Sequence, residues 1–146
     1  MTSRAFERSE TYRMNMKRIL LIEDDEAFRK PLAEALRRAG HEVELAGEGR
    51  AALRLFKQTT FDLVVTDLFM PEMEGVETIL ALHRMQPGLP IIAMSGGGMV
   101  ESQIPLNVAH KIGAVKTLTK PFRISELLGT IAEQFPAAAA PTSCTF

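Results

Sequence analysis

The chain has no tryptophan, one tyrosine and one cysteine among its 146 residues. So few aromatics leave little material for a nucleic-acid surface built on base stacking. Cys144, within the last three residues, has no partner for a disulfide inside the chain. A reducing, cytoplasmic location is the simple expectation. Charge of one sign is lacking too. Seventeen basic residues against eighteen acidic ones leave a net charge of −1, so no strong field favours nucleic acid or an anionic membrane. No apolar run approaches the roughly 18 residues that a spanning helix needs. Nor do residues 1–16 hold an apolar stretch long enough for a signal peptide, and Glu7 and Glu10 dilute the targeting character of Arg4, Arg8 and Arg13.

What remains is an ordinary single domain with an aliphatic core, 46 % of its residues being hydrophobic. Residues 1–16 read as a disordered leader, with Met16 directly before the first apolar run. Residues 136–146 (PAAAAPTSCTF) read as a disordered tail. The folded part is then 17–135, which leaves no room for a second folded domain after it.

Five apolar runs alternate with helical patterns. Ile19–Ile22, Leu63–Val65 and Ile91–Met94 are unbroken, as suits central parallel strands covered on both faces. Val43 and Leu45 alternate with Glu42 and Glu44, and Val115 and Thr117 flank Lys116. Half-polar strands belong at sheet edges, which favours the order 2-1-3-4-5. Phe28, Leu32, Ala35, Leu36 and Ala39 predict a first helix ended by Gly40, with Pro31 tolerable only in its first turn. Ala52, Leu53 and Phe56 mark a second helix, and Val76, Ile79 and Leu80 a third. Pro105 to Gly113 predicts a fourth, and Ile124, Leu127, Leu128, Ile131 and Phe135 a fifth.

Ligands of open parallel sheets bind at the carboxyl ends of the strands. There the sequence places Glu23-Asp24-Asp25, Thr66-Asp67, Ser95 and Thr119-Lys120. In the order 2-1-3-4-5 the strands carrying them are consecutive neighbours. Crowded carboxylates need a cation. An all-oxygen ligand set suits a hard divalent ion such as Mg2+, with Mn2+ as the alternative. Asp67, central on the third strand, is placed to attack phosphorus and form an acyl phosphate. The metal and Lys120 would neutralise the transferring phosphoryl oxygens.

The segments ILLIEDD (19–25), FDLVVTDLFMPEMEG (61–75), IIAMSG (91–96) and TKPF (119–122) resemble the motifs of the response regulator receiver family, in order and at suitable spacing. The resemblance covers essentially all of 17–135. It implies a flavodoxin-like (βα)5 doubly wound α/β domain taking a phosphoryl group onto Asp67 from a sensor histidine kinase or a histidine phosphotransfer protein. Glu23 and Asp24 would be the metal-binding acidic pair, Asp67 acceptor and ligand, and the Phe69 carbonyl a further ligand. Ser95 would be the switch hydroxyl, Lys120 its ion-pair partner, and Pro121 a cis proline placing that lysine. The family's aromatic switch position, three residues before the lysine, is Thr117 here, which puts the usual coupling in doubt. The loop Gly96-Gly97-Gly98-Met99-Val100 is either flexible or a moving lid. Phe69, two residues beyond Asp67, is expected to obstruct attacking water and slow hydrolysis.

The resemblance further implies a stand-alone switch in a two-component phosphorelay, monomeric or dimerising on phosphorylation. Its target protein would dock on the face of the fourth helix, fifth strand and fifth helix. Such a protein catalyses only its own phosphotransfer and dephosphorylation. A haloacid dehalogenase-like phosphotransferase would want a second acid where Phe69 stands. A nucleotide binder would want a glycine-rich loop where Glu23–Glu26 would repel phosphate. A pseudo-receiver that is never phosphorylated is the remaining alternative. His41, His83 and His110 share no ligand spacing and read as surface or interface residues.

Overall fold

A computed structural model describes residues 16–68, 75–96 and 115–136. Five parallel strands, β1 (Arg18–Ile22), β2 (Glu42–Ala46), β3 (Leu63–Asp67), β4 (Ile91–Ser95) and β5 (Val115–Thr119), form one sheet in the order β2-β1-β3-β4-β5. Four helices are described: α1 (Glu26–Arg38), α2 (Gly49–Gln58), α3 (Gly75–Met85) and α4 (Ile124–Gln134), the last being the fifth predicted from sequence. The helix predicted from Pro105 to Gly113 lies outside the described residues, as do the leader up to residue 15, Phe69, the glycines 97 and 98, His110 and the tail from 137. Among the described residues no helix is long and apolar enough to cross a membrane.

The period-two alternation of strand side chains builds two cores from one sheet. Leu20, Ile22, Val64, Ile91 and Ala93 face Ala52, Ile79 and Leu82 of α2 and α3. Their neighbours Ile19, Leu21, Val65, Ile92 and Met94 face Leu32 and Leu36 of α1 and Leu127 and Ile131 of α4. Central strands β1, β3 and β4 are therefore buried on both sides, which is why their sequences show no alternation. The expected edge strands β2 and β5 stand at the edges, with Glu42, Glu44, Lys116 and Thr117 exposed.

Helix α1 sets the geometry of the site. The Asp25 carboxylate accepts the Ala27 N–H at 3.0 Å and caps the helix. Gly40 closes it at φ 101°. Its N–H donates to the Arg37 carbonyl, and that of His41 donates to the Leu36 carbonyl, the bond pair of a Schellman turn. One expectation fails here. Pro31 is the sixth residue of α1, in the second turn and not the first. The Asp25 cap starts the helix ahead of the proline. The Ala27 carbonyl that loses its donor belongs to an exposed residue facing an exposed proline, where water can replace the missing N–H.

Candidate functional site

Register does most of the positioning. Asp67 ends β3 opposite Met94, and the chain beyond it is tied down by the Leu68 N–H donating to the Met94 carbonyl at 2.9 Å. Glu23 directly follows β1, its N–H donating to the Ala46 carbonyl at 3.0 Å. Ser95 ends β4 beside Thr119, and its carbonyl accepts the Lys120 N–H at 2.7 Å. The Lys120–Pro121 peptide bond is cis, as expected.

These anchors bring together side chains from three strand ends. Lys120 Nζ donates to Glu23 Oε2 at 3.0 Å and to Asp67 Oδ2 at 3.4 Å. Glu23 is only 1 % exposed, and its second oxygen, Oε1, accepts the Asp25 N–H at 3.2 Å. Asp24 projects outward, yet one carboxylate oxygen from each of Glu23, Asp24 and Asp67 lies within 4.8 Å of the others. No other cluster of at least three acidic, histidine or cysteine side chains spaced to hold a metal occurs among the described residues. Burial pushes the Glu23 carboxyl above its ordinary value. The Lys120 hydrogen bond pulls back, the Asp67 charge pushes further up, and Lys120's charge and the Asp25 N–H oppose it.

The donor set fits a hard divalent cation. It is all oxygen, one carboxylate is solvent-facing, and the three carboxylates outnumber the one ammonium paired with them among the described residues. Asp25, adjacent in sequence, is excluded because its carboxylate is committed to capping α1. The Phe69 carbonyl, the fourth expected ligand, lies outside the described residues. Ser95 is buried at the end of β4, whereas Thr117 is exposed on β5 opposite Ala93. His41 is half-buried, and its Nδ1 accepts the Lys17 N–H at 3.1 Å, a structural role.

Four residues that sequence reading left aside support the cluster. Arg29 reaches back from α1 and donates from a guanidinium nitrogen to the Glu23 carbonyl at 2.7 Å. A Cβ on Gly47 would come within 3.1 Å of that nitrogen. Phe28 places its ring centroid 4.1 Å from Lys120 Nζ. Gly75 packs so closely on the end of β3 that a Cβ would sit 2.5 Å from Leu68 Cα and 2.7 Å from the Asp67 carbonyl oxygen. The Gly75 position was visible in the matched segment 61–75. Phe28 was visible only as one apolar residue in a helical stripe.

Residues 19–132 match the response regulator receiver domain. The chain is 35 % identical over 127 residues to the response regulator receiver protein CpdR of Brucella abortus, covering 84 % of this chain and 100 % of that protein. It is 34 % identical to the response regulator protein FleR of Pseudomonas aeruginosa over 115 residues, but spans only 24 % of FleR. Among solved structures, the chemotaxis protein CheY4 of Vibrio cholerae superposes with a TM-score of 0.73 at 29 % identity, covering 81 % of this chain and 98 % of CheY4. The response regulator protein TrrA of Thermotoga maritima, solved in complex with Mg(2+)-BeF, does so with a TM-score of 0.71 at 27 % identity, covering 82 % of this chain and 99 % of TrrA. With its strand order, its acidic strand ends and its paired lysine, the chain belongs to the response regulator receiver domain family.

Proposed function

We propose that this receiver accepts a phosphoryl group on Asp67 in a Mg2+-dependent reaction and signals through the change that follows. The observation that carries this reading is Lys120, held between Glu23 and Asp67 at 3.0 and 3.4 Å while Asp24 completes a triad of carboxylates. An Asp67 oxygen attacks phosphorus of a donor phosphohistidine. The new P–O bond forms as the P–N bond breaks, the nitrogen keeping the bonding pair and ending protonated. Glu23, Asp24 and Asp67 would hold the metal, with the Phe69 carbonyl as a further ligand. Bound there, the ion supplies positive charge to the phosphoryl oxygens. Lys120 stands ready to pair with the same oxygens, and the Ser95 hydroxyl to donate to them. Phe69, beside the acceptor, would hinder the water that hydrolyses the acyl phosphate.

The family supplies the rest of the reading. The donor would be a sensor histidine kinase or a histidine phosphotransfer protein in the cytoplasm. Output would go to a protein partner at the β5 side or onward by phosphotransfer, which makes the chain a switch and not a metabolic enzyme. Incubation with acetyl phosphate and Mg2+, followed by intact mass, tests the reading. One phosphoryl adduct is expected in the wild type and none in Asp67→Ala. An adduct that survives the substitution refutes the assignment of Asp67, and no adduct in the wild type favours a non-phosphorylated pseudo-receiver.

A further inference from the structure

Thr117 offers no ring beside the switch region, but the chain places rings against the same pocket from another direction. Lys120 Nζ rests 4.1 Å from the Phe28 ring centroid while it bonds Glu23 and Asp67. The lysine side chain is only 20 % exposed, and partial desolvation strengthens an ammonium–ring contact. The Phe28 ring in turn meets Phe122 edge to face, centroids 6.0 Å apart at 87°. Phe122 lies two residues after Lys120, across the cis peptide bond. Side chain 120 and ring 122 therefore both bear on one residue of α1. Phe28 and Phe122, with Pro31, Leu32 and Ile124, also line an open apolar groove of about 240 Å³ between α1 and the start of α4.

A ring is a special partner for this lysine. Glu23 and Asp67 hold Lys120 but add negative charge to a pocket that already has an excess. Phe28 attracts the ammonium through its quadrupole and adds no net charge. It therefore keeps Lys120 in the pocket without weakening the pocket's pull on a cation. A phosphoryl group on Asp67 competes for the same ammonium, and any shift of Lys120 alters what the Phe28 ring, and through it Phe122, packs against.

Resting on the phosphoacceptor reading of Asp67, we propose that Phe28 is a positioning residue for Lys120 and that the Phe28–Phe122 pair carries the loading state of the pocket to the α1–α4 groove. This gives the chain an aromatic route that does not pass through position 117.

Beryllofluoride with Mg2+ serves as the phosphoryl probe, with the Lys120 methylene and Phe122 ring resonances read by NMR in wild type, Phe28→Leu and Phe28→Tyr. In the free wild type the Lys120 methylene protons next to Nζ should be shifted by the ring, and both they and Phe122 should move on loading. Phe28→Leu should abolish the ring shift and leave Phe122 insensitive to loading. Mg2+ affinity alone should stay unchanged, because the carboxylates are intact. Phe28→Tyr, which keeps the ring, should restore both signals. A wild type that loads while Phe122 still responds to loading in Phe28→Leu overturns the relay alone. Failure of Phe28→Tyr to restore reduces Phe28 to packing and overturns it equally. A wild type that takes no beryllofluoride overturns the phosphoacceptor reading, and the relay with it.

Discussion

Replacing Glu23 by Gln should stabilise the metal-free protein and destabilise the Mg2+-loaded protein relative to wild type. At an effective dielectric of about 20, the 3.0 Å Lys120–Glu23 pair contributes about 5 kcal/mol of attraction. The buried Asp67 carboxylate, with an oxygen within 4.8 Å, contributes at least about 3.5 kcal/mol of repulsion. Asp24 is exposed, and water screens its share to about 1 kcal/mol. Attraction and repulsion thus nearly cancel, and the burial of a carboxylate that is 1 % exposed decides the sign. Such burial costs several kcal/mol even after relaxation. After allowing for the amide that takes its place, a gain of about 1–2 kcal/mol is expected in EDTA. Mg2+ at a hundred times its Kd stabilises the wild type by about 2.7 kcal/mol. It should stabilise the variant much less, since one ligand charge is gone. Urea titrations of both proteins, in EDTA and in saturating Mg2+, read the four stabilities directly. The dependence on pH follows from the raised Glu23 carboxyl. Its charged form is penalised at neutral pH, and the penalty fades as pH falls through the raised value towards the ordinary 4.5. The gap between variant and wild type in EDTA should close over that window. A variant less stable than wild type in EDTA, or equal Mg2+ responses, would refute the reasoning.

Gly75→Ala should cost about 2–3 kcal/mol by overpacking, because every atom its Cβ would meet is backbone of Leu68 or Asp67. In the same denaturation assay Gly129→Ala, inside α4 with nothing within 4 Å of a Cβ, should gain about 0.5–1 kcal/mol. Loss of the neutral His41 acceptor should be felt near the β1–β2 edge. Burial first, then the Lys17 charge, lowers its imidazole below the usual 6.5, so its contribution is present above that value and disappears as pH falls through the lowered one. His41→Gln should therefore differ from wild type by about 1 kcal/mol at neutral pH and by much less once the pH has fallen below the lowered value, measured by thermal unfolding across pH.

The sheet was legible because burial on two faces leaves a different trace from burial on one. Ile19–Ile22 and Ile91–Met94 could only be central, and Glu42-Val43-Glu44-Leu45 could only be an edge. Once the strand order followed, the meeting of Glu23, Asp67 and Lys120 followed with it, although 97 residues separate the first from the last. Pro31 was misplaced because helix propensity weighed its missing N–H without the Asp25 cap, which fixes where the turns begin. Phe28 was read as one more apolar residue in a stripe. Periodicity tells which side of a helix a residue occupies, but not that the face of its ring meets an ammonium. Arg29 was silent for a related reason, since its partner is a backbone carbonyl and leaves no complementary side chain in the sequence.

That choice of partner bears on how the pocket works. A guanidinium beside a buried carboxylate would ordinarily form a bidentate pair with it, and would occupy oxygens that a divalent ion needs. Arg29 instead donates to the Glu23 main-chain oxygen, and a side chain at Gly47 would crowd the nitrogen that makes this bond. It fixes the path of the chain through Glu23 while leaving the Glu23 carboxylate to Lys120 and the Asp25 N–H. Phe28 acts by the same logic on Lys120, attracting it without neutralising anything. Arg29 and Phe28 thus help hold the site in shape without occupying a carboxylate oxygen. Glu23, Asp24 and Asp67 keep carboxylate oxygens within 4.8 Å of one another, and a divalent cation would relieve their mutual repulsion.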